Sequence, residues 1–206
     1  MNLYEQYPAL TACRAQIEQA KEMLIAAYRA GHKVLTCGNG GSAADAEHIV
    51  GELMKGFLRK RPLDAAARAA LTAAGGADGS YMAERLQTPL PAVSLVSSVA
   101  LATAFANDVA PELVFAQQVY GLGQPGDVLL GISTSGNSKN VLYALIAARA
   151  RGLKTLGLAG GAGGRMPALC DCCIVMPAPK THEIQELHLP VYHYLCAEVE
   201  RHFFSE

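Results

Sequence analysis

No stretch of the 206-residue sequence approaches the roughly 20 apolar residues needed to cross a bilayer, so a membrane-spanning protein is not expected. Neither sign of charge is in excess. A formal net charge of −1 and a pI near 6.6 give no overall attraction to nucleic acid or to an anionic membrane. The first twenty residues, interrupted by Glu5, Pro8, Arg14 and Glu18, lack the pattern of a signal or transit peptide, and a soluble, cytoplasmic protein is expected. No Gly-Lys-Ser/Thr sequence follows a glycine-rich loop, which argues against a nucleoside triphosphate P-loop. Six cysteines are present without the layout of a disulfide framework. Cys13, Cys37 and Cys196 fall in apolar patterns as small buried hydrophobes. Cys170 and Cys173 lead into the apolar run Ile174–Met176, and not into the helix that a thioredoxin-like redox pair requires.

What the sequence does have is a sharp change of character between Asp127 and Asn140. Val128, Leu129, Leu130 and Ile132 form an apolar run suited to a strand buried on both faces. Ser133, Thr134, Ser135 and Ser138 then place hydroxyls around a Gly136-Asn137 turn, and Val141, Leu142, Leu145 and Ile146 continue at helical spacing. Strand, hydroxyl-rich loop and helix N-terminus together offer free N–H groups, a positive dipole end and short donors at one point. A single helix cap needs only one hydroxyl, so this density points to an anion, most naturally the phosphate of a small molecule.

Lys33–Cys37 reads as a strand entering a second loop, Gly38-Asn39-Gly40-Gly41-Ser42, whose glycines let backbone approach a ligand and whose Ser42 can cap or donate. In the helical pattern Ala43–Phe57, His48 and Glu52 lie four apart on one face, able to share a metal or transfer protons, or to be an ordinary surface pair. Asp45 and Glu47 read as solvent-facing or polar-interface residues, and the basic run Lys55, Arg59, Lys60, Arg61 as a solvated helix end.

Residues 1–31 suggest one long amphipathic helix whose stripe packs on another subunit, an assembly helix. The Ala- and Gly-rich residues 63–90 read as an inserted, mobile excursion, with helix-prone pieces at Ala65–Ala74 and Tyr81–Leu86 separated by Gly75–Gly79. Further strands are expected at Pro91–Ser97, Lys154–Ala159 and Cys172–Met176. A final helix starts near Thr181 and carries His182, Gln185, His188, His193 and His202, with Pro190 inside it. Five strands alternating with helices give the fold class: α/β, a single domain over 1–206, a five-stranded parallel sheet with helices on both faces, and long terminal helices.

Taken together, Cys37-Gly38-Asn39-Gly40-Gly41-Ser42 with His48 and Glu52, Asn107-Asp108, the Gly126–Ser138 segment, and Ile184-Gln185-Glu186 with His188 and His193 resemble the sugar isomerase (SIS) domain family, and within it the phosphoheptose isomerases. The segments occur in family order across nearly the whole chain. The resemblance implies a flavodoxin-like three-layer sandwich, a homotetramer, and interconversion of sedoheptulose 7-phosphate with D-glycero-D-manno-heptose 7-phosphate. By position it implies that Asn39, Gly40, Gly41, Ser42, Ser133, Thr134, Ser135 and Ser138 surround the phosphosugar, with Glu52, Gln185, Asn107 and Asp108 contacting it or completing a neighbouring subunit's site. It also implies that Glu52 and His193 transfer protons, and that His48, Glu52, Gln185 and His193 match a zinc site. Two features depart from the pattern: the long 63–90 segment, and Glu183 where Arg is expected. Competing readings are a noncatalytic SIS module that binds a phosphosugar or a protein partner, as in relatives acting on replication initiation, and an isomerase of another phosphoketose.

Overall fold

The computed structural model describes residues 2–204. Its five strands are β1 (Val34–Cys37), β2 (Ala92–Ser94), β3 (Val128–Ile132), β4 (Lys154–Gly160) and β5 (Cys172–Met176), all parallel, in the order β2-β1-β3-β4-β5. They coincide with the five apolar runs of the sequence. The helices are α1 (Leu3–Gln6), α2 (Arg14–Arg29), α3 (Gly41–Met54), α4 (Ala65–Arg85), α5 (Val99–Asp108), α6 (Val114–Leu122), α7 (Lys139–Ala150) and α8 (Thr181–Phe203).

Alternation along each strand divides the core. Val34, Val128, Leu130, Ile132, Leu156, Leu158 and Ile174 pack with α2, α3 and α8 on one face. Leu35, Cys37, Leu129 and Ala159 pack with α6 and α7 on the other. The result is the expected three-layer sandwich. Strand order reverses between β1 and β3, and at such a switch the two carboxyl-end loops diverge to leave a crevice.

Three readings of the sequence are corrected here. The N-terminal segment is not one helix: α1 ends at Tyr7, Pro8 opens a 3-10 turn through Cys13, and α2 follows. Pro8 has no N–H to continue a helix but suits the first turn of a new one. The apolar stripe of this segment, Leu10, Ile17, Ala20 and Leu24, joins the core of its own chain with α8 and β5 and is not left for another subunit. Residues 65–85 are helical throughout except at Gly76, whose positive φ of 55° reverses the chain. A Cβ on Gly79 would lie 2.0 Å from the Leu71 carbonyl oxygen, so the two halves fold back on each other as a tight hairpin.

Candidate functional site

The crevice at the strand switch is closed by two loops joined to each other. Asn39, after β1, and Asn140, in the first turn of α7, exchange side-chain hydrogen bonds of 2.9 and 2.8 Å. Gly38 permits the first loop because a Cβ there would sit 2.4 Å from the Ser42 carbonyl oxygen. Ser42 is buried in the first turn of α3, and no side chain caps that helix.

In the second loop Ser133 is buried and donates to the Ser138 hydroxyl at 3.0 Å. Ser138 occupies the N-cap position of α7, yet its side chain makes no capping bond. Simple capping therefore does not account for the hydroxyls. Thr134 is half-buried, Ser135 is exposed and accepts the Asn137 N–H at 3.2 Å. Gly136, at φ 62°, packs so closely on the next loop that a Cβ would meet the Gly163 carbonyl oxygen at 1.8 Å. This turn is fixed by its neighbours, at the carboxyl end of β3 beside the α7 N-terminus.

The second half of the site lies where α3 runs beside α8. His48 Nε2 is 3.1 Å from Glu52 Oε1, and Lys55 donates to Glu52 Oε2 at 3.1 Å. The rings of His48 and His193 are 5.0 Å apart, edge to face, with Tyr192 and Phe57 completing the wall around His193. His193 Nε2 is buried and has no hydrogen-bond partner. Burial, then the neighbouring His48, lowers the pKa of His193 from its ordinary value and favours a neutral imidazole. Gln185 lies earlier on α8, its amide against Gly41: a Cβ on Gly41 would be 2.5 Å from the Gln185 Nε2. Gln185 thus joins the Gly38–Ser42 loop end of α3, while His193 joins the His48–Glu52 pair.

Two imidazoles, a carboxylate and an amide are a donor set that zinc accepts, and the unpaired His193 Nε2 is a free lone pair or donor at that place. Among the described residues no three His, Cys, Asp or Glu side chains are gathered closely enough to hold a metal ion in this conformation. Asn107 and Asp108 end α5, are exposed, and are hydrogen-bonded to one another at 2.9 Å rather than to either loop. Glu183 pairs with Lys180 at 3.2 Å.

Sequence reasoning missed a supporting layer behind these residues. Of the two readings of Asp45, solvent-facing or polar-interface, the second holds: it is half-buried between α3 and α8 and accepts a hydrogen bond from the Tyr192 hydroxyl. Glu47, by contrast, is exposed and bonds Ser97. Arg61, placed by its basic neighbours on a solvated helix end, is fully buried against Glu200, with both side chains 0% exposed. Arg61 also donates to the carbonyl oxygens of Leu53 and Glu52 at 2.6 and 3.2 Å, tying down the end of α3 that carries Glu52. No helix among the described residues is long and apolar enough to cross a membrane.

Comparison with known proteins gives concordant similarities. The chain matches the family described as SIS domain over residues 8–88 and 69–160. It is 42% identical over 91% of its length to a phosphoheptose isomerase of Rhodospirillum rubrum, covering 86% of that protein. It is also 42% identical over 95% of its length to one of Helicobacter pylori, covering 88% of that protein. Among solved structures, a phosphoheptose isomerase from Francisella tularensis superposes with a TM-score of 0.79 at 31% identity, covering 95% of this chain and 91% of that one. One from Neisseria gonorrhoeae does so with a TM-score of 0.76 at 33% identity, covering 95% and 90%.

Proposed function

The chain belongs to the phosphoheptose isomerase group of the SIS-domain family, and from that premise we propose that it interconverts sedoheptulose 7-phosphate and D-glycero-D-manno-heptose 7-phosphate through an enediolate. The observation that carries the reading for these residues is the pairing of a built anion loop with an acid–base group: Ser133–Ser138 at the switch crevice, and His48, Glu52 and His193 at the α3–α8 interface.

In this mechanism the 133–138 loop and the α7 N-terminus hold the phosphate, and Asn39, Gly40, Gly41, Ser42 and Gln185 line the path of the sugar. Fixing the remote phosphate positions the reacting end. Glu52 removes the C1 proton of the ketose as the carbonyl electrons move onto the C2 oxygen, and returns a proton to C2. His193 moves the proton between the C1 and C2 oxygens, a role suited to an imidazole that burial keeps neutral. His48, Glu52, Gln185 and His193 would hold a zinc ion, which when bound supplies polarisation of the carbonyl. Asn107 and Asp108 are assigned to the sugar or to a neighbouring subunit's site.

A homotetramer is part of the proposal, and α5 supports it. That helix is apolar yet buries none of its residues, with Val99 69% exposed and Val109, just beyond it, 63% exposed. Location in the cytoplasm follows from the phosphorylated substrate.

The test is incubation of purified protein with sedoheptulose 7-phosphate, with and without added zinc, and detection of the aldose product by NMR. Binding of the phosphosugar without any turnover would replace the enzymatic reading with that of a binding module. Turnover of a different phosphoketose alone would replace the substrate.

A further inference from the structure

The proposed reaction leaves unused a pair of cysteines, Cys170 and Cys173, at the entry to the edge strand β5. Cys173 pairs with Gly157 of β4, while its neighbour Cys172 points to the opposite face of the sheet, where it is buried and its Sγ donates to the Gln16 carbonyl oxygen at 3.3 Å. Cys170 and Cys173 share the other face. There the β4–β5 connection supplies only the 3-10 turn Met166–Ala168 as cover, and both cysteines are half-buried free thiols.

Three features bring the two sulfurs together. A Cβ on Gly157 would lie 2.9 Å from Cys170 Sγ and 3.0 Å from Cys173 Sγ, so both thiols occupy the space that this glycine leaves open. The backbone between them is pinned to β4: the Asp171 N–H donates to the Thr155 carbonyl oxygen at 2.9 Å, and Asp171 Oδ2 accepts the Thr155 N–H at 2.8 Å. The Thr155 hydroxyl also donates to the Leu169 carbonyl oxygen at 3.1 Å. Finally, the two thiols are hydrogen-bonded to each other, and that bond outweighs burial to hold the Cys173 thiol below its ordinary pKa, while it and burial push Cys170 up. Cys173 is therefore the thiol that ionises, activated by its neighbour rather than by the helix N-terminus of a thioredoxin-like motif.

We propose that Cys170 and Cys173 form a reversible disulfide by exchange with a low-molecular-weight disulfide, Cys173 attacking first and Cys170 resolving. The Cys173 thiolate attacks one sulfur of the oxidant, forming a mixed disulfide and expelling one thiolate, which takes up the proton that Cys173 gave up. Cys170 then loses its proton and attacks Cys173 Sγ, closing the internal disulfide and expelling the second thiol. The protein loses two hydrogens and two electrons, and the oxidant leaves as two thiols.

The experiment incubates full-length protein in a series of oxidised and reduced glutathione buffers, quenches with acid, alkylates under denaturing conditions and maps the tryptic peptide 166–180. Wild type is expected to lose two of its six alkylatable thiols, both in that peptide, and to regain them with dithiothreitol. Cys172→Ser should still close the disulfide. Cys170→Ser should instead stop at a glutathione adduct on Cys173, and Cys173→Ser should form neither the disulfide nor a comparable adduct on Cys170. Circular dichroism confirms that each variant is folded, and Ala replaces Ser where one is not. A wild type that keeps all six thiols or carries only a mixed disulfide overturns the proposal. An internal disulfide that survives in Cys170→Ser overturns it too, as does an adduct that builds up on Cys170 in Cys173→Ser but not on Cys173 in Cys170→Ser.

Discussion

Replacing Arg61 with Met tests how the active-site helix is anchored. The guanidinium is fully buried, donates to Glu200 Oε1 at 2.8 Å, and satisfies the carbonyl oxygens of Leu53 and Glu52. Met fills much of the same space but leaves the Glu200 carboxylate buried without its cation. Removing one partner of a buried pair costs about 3–5 kcal/mol. Glu200 retains N–H donors from Phe57, Leu58 and Arg59 at 2.8, 2.7 and 3.1 Å, which places the expectation near the lower end, about 3 kcal/mol. For a domain of this size that is a fall in Tm of roughly 6–12 °C, measured at matched protein concentration. A double mutant with Glu200→Leu should lose less than the sum of the single losses, because the stranded charge is gone. The pH dependence has a defined sign. Burial alone would raise the Glu200 pKa, but the N–H groups of Phe57 and Leu58 and the Arg61 guanidinium overcome it and hold it below the ordinary glutamate value of 4.5. Its stabilisation is therefore complete above that value and lost as pH falls through the folded pKa, so the gap between wild type and Arg61→Met should narrow below about pH 4.5. A loss under about 1 kcal/mol, or strict additivity in the double mutant, would refute the anchoring role.

Ser133→Ala removes a buried hydroxyl from the anion loop, and with a charged ligand that bond is worth about 1.5–3 kcal/mol, so KM for the phosphosugar should rise roughly 10- to 100-fold with a smaller change in kcat. Equal losses in a substrate lacking the phosphate would place Ser133 elsewhere. Gly136→Ala has no room at all, since its backbone has positive φ and the added carbon would collide with the Gly163 carbonyl; circular dichroism and thermal melts should show lower stability together with lost phosphate binding. A variant that binds inorganic phosphate as wild type does would contradict the fixed geometry of the turn.

The strands were legible because each is a short apolar run closed by glycine or a turn residue, as at Val34–Cys37 before Gly38 and Val128–Ile132 before Ser133. The hydroxyl-rich loop between β3 and α7 was legible too, since helix initiation and turn chemistry are local. What was not legible depends on partners distant in sequence. Arg61 meets Glu200 across 139 positions, so its burial could not be read from neighbours that are basic, and Asp45 meets Tyr192 across 147, so its polar interface could be expected but its partner could not. Pro8 is different in kind: its effect is local, but helical spacing in the residues after it masked the break. The turn at Gly76 was similarly narrower than the Gly75–Gly79 run suggested, because packing of Gly79 on Leu71 lets both flanks stay helical.

The central claim is that Glu52 abstracts a carbon-bound proton, and solvent deuterium exchange isolates that step from product release. Sedoheptulose 7-phosphate incubated with the wild-type protein in deuterium oxide is expected to take up deuterium at C1, and Glu52→Gln, which keeps shape and removes the base, to slow uptake by about 10²-fold or more. Wild-type protein that exchanges no proton, or a Glu52→Gln variant that exchanges at the wild-type rate, would contradict it.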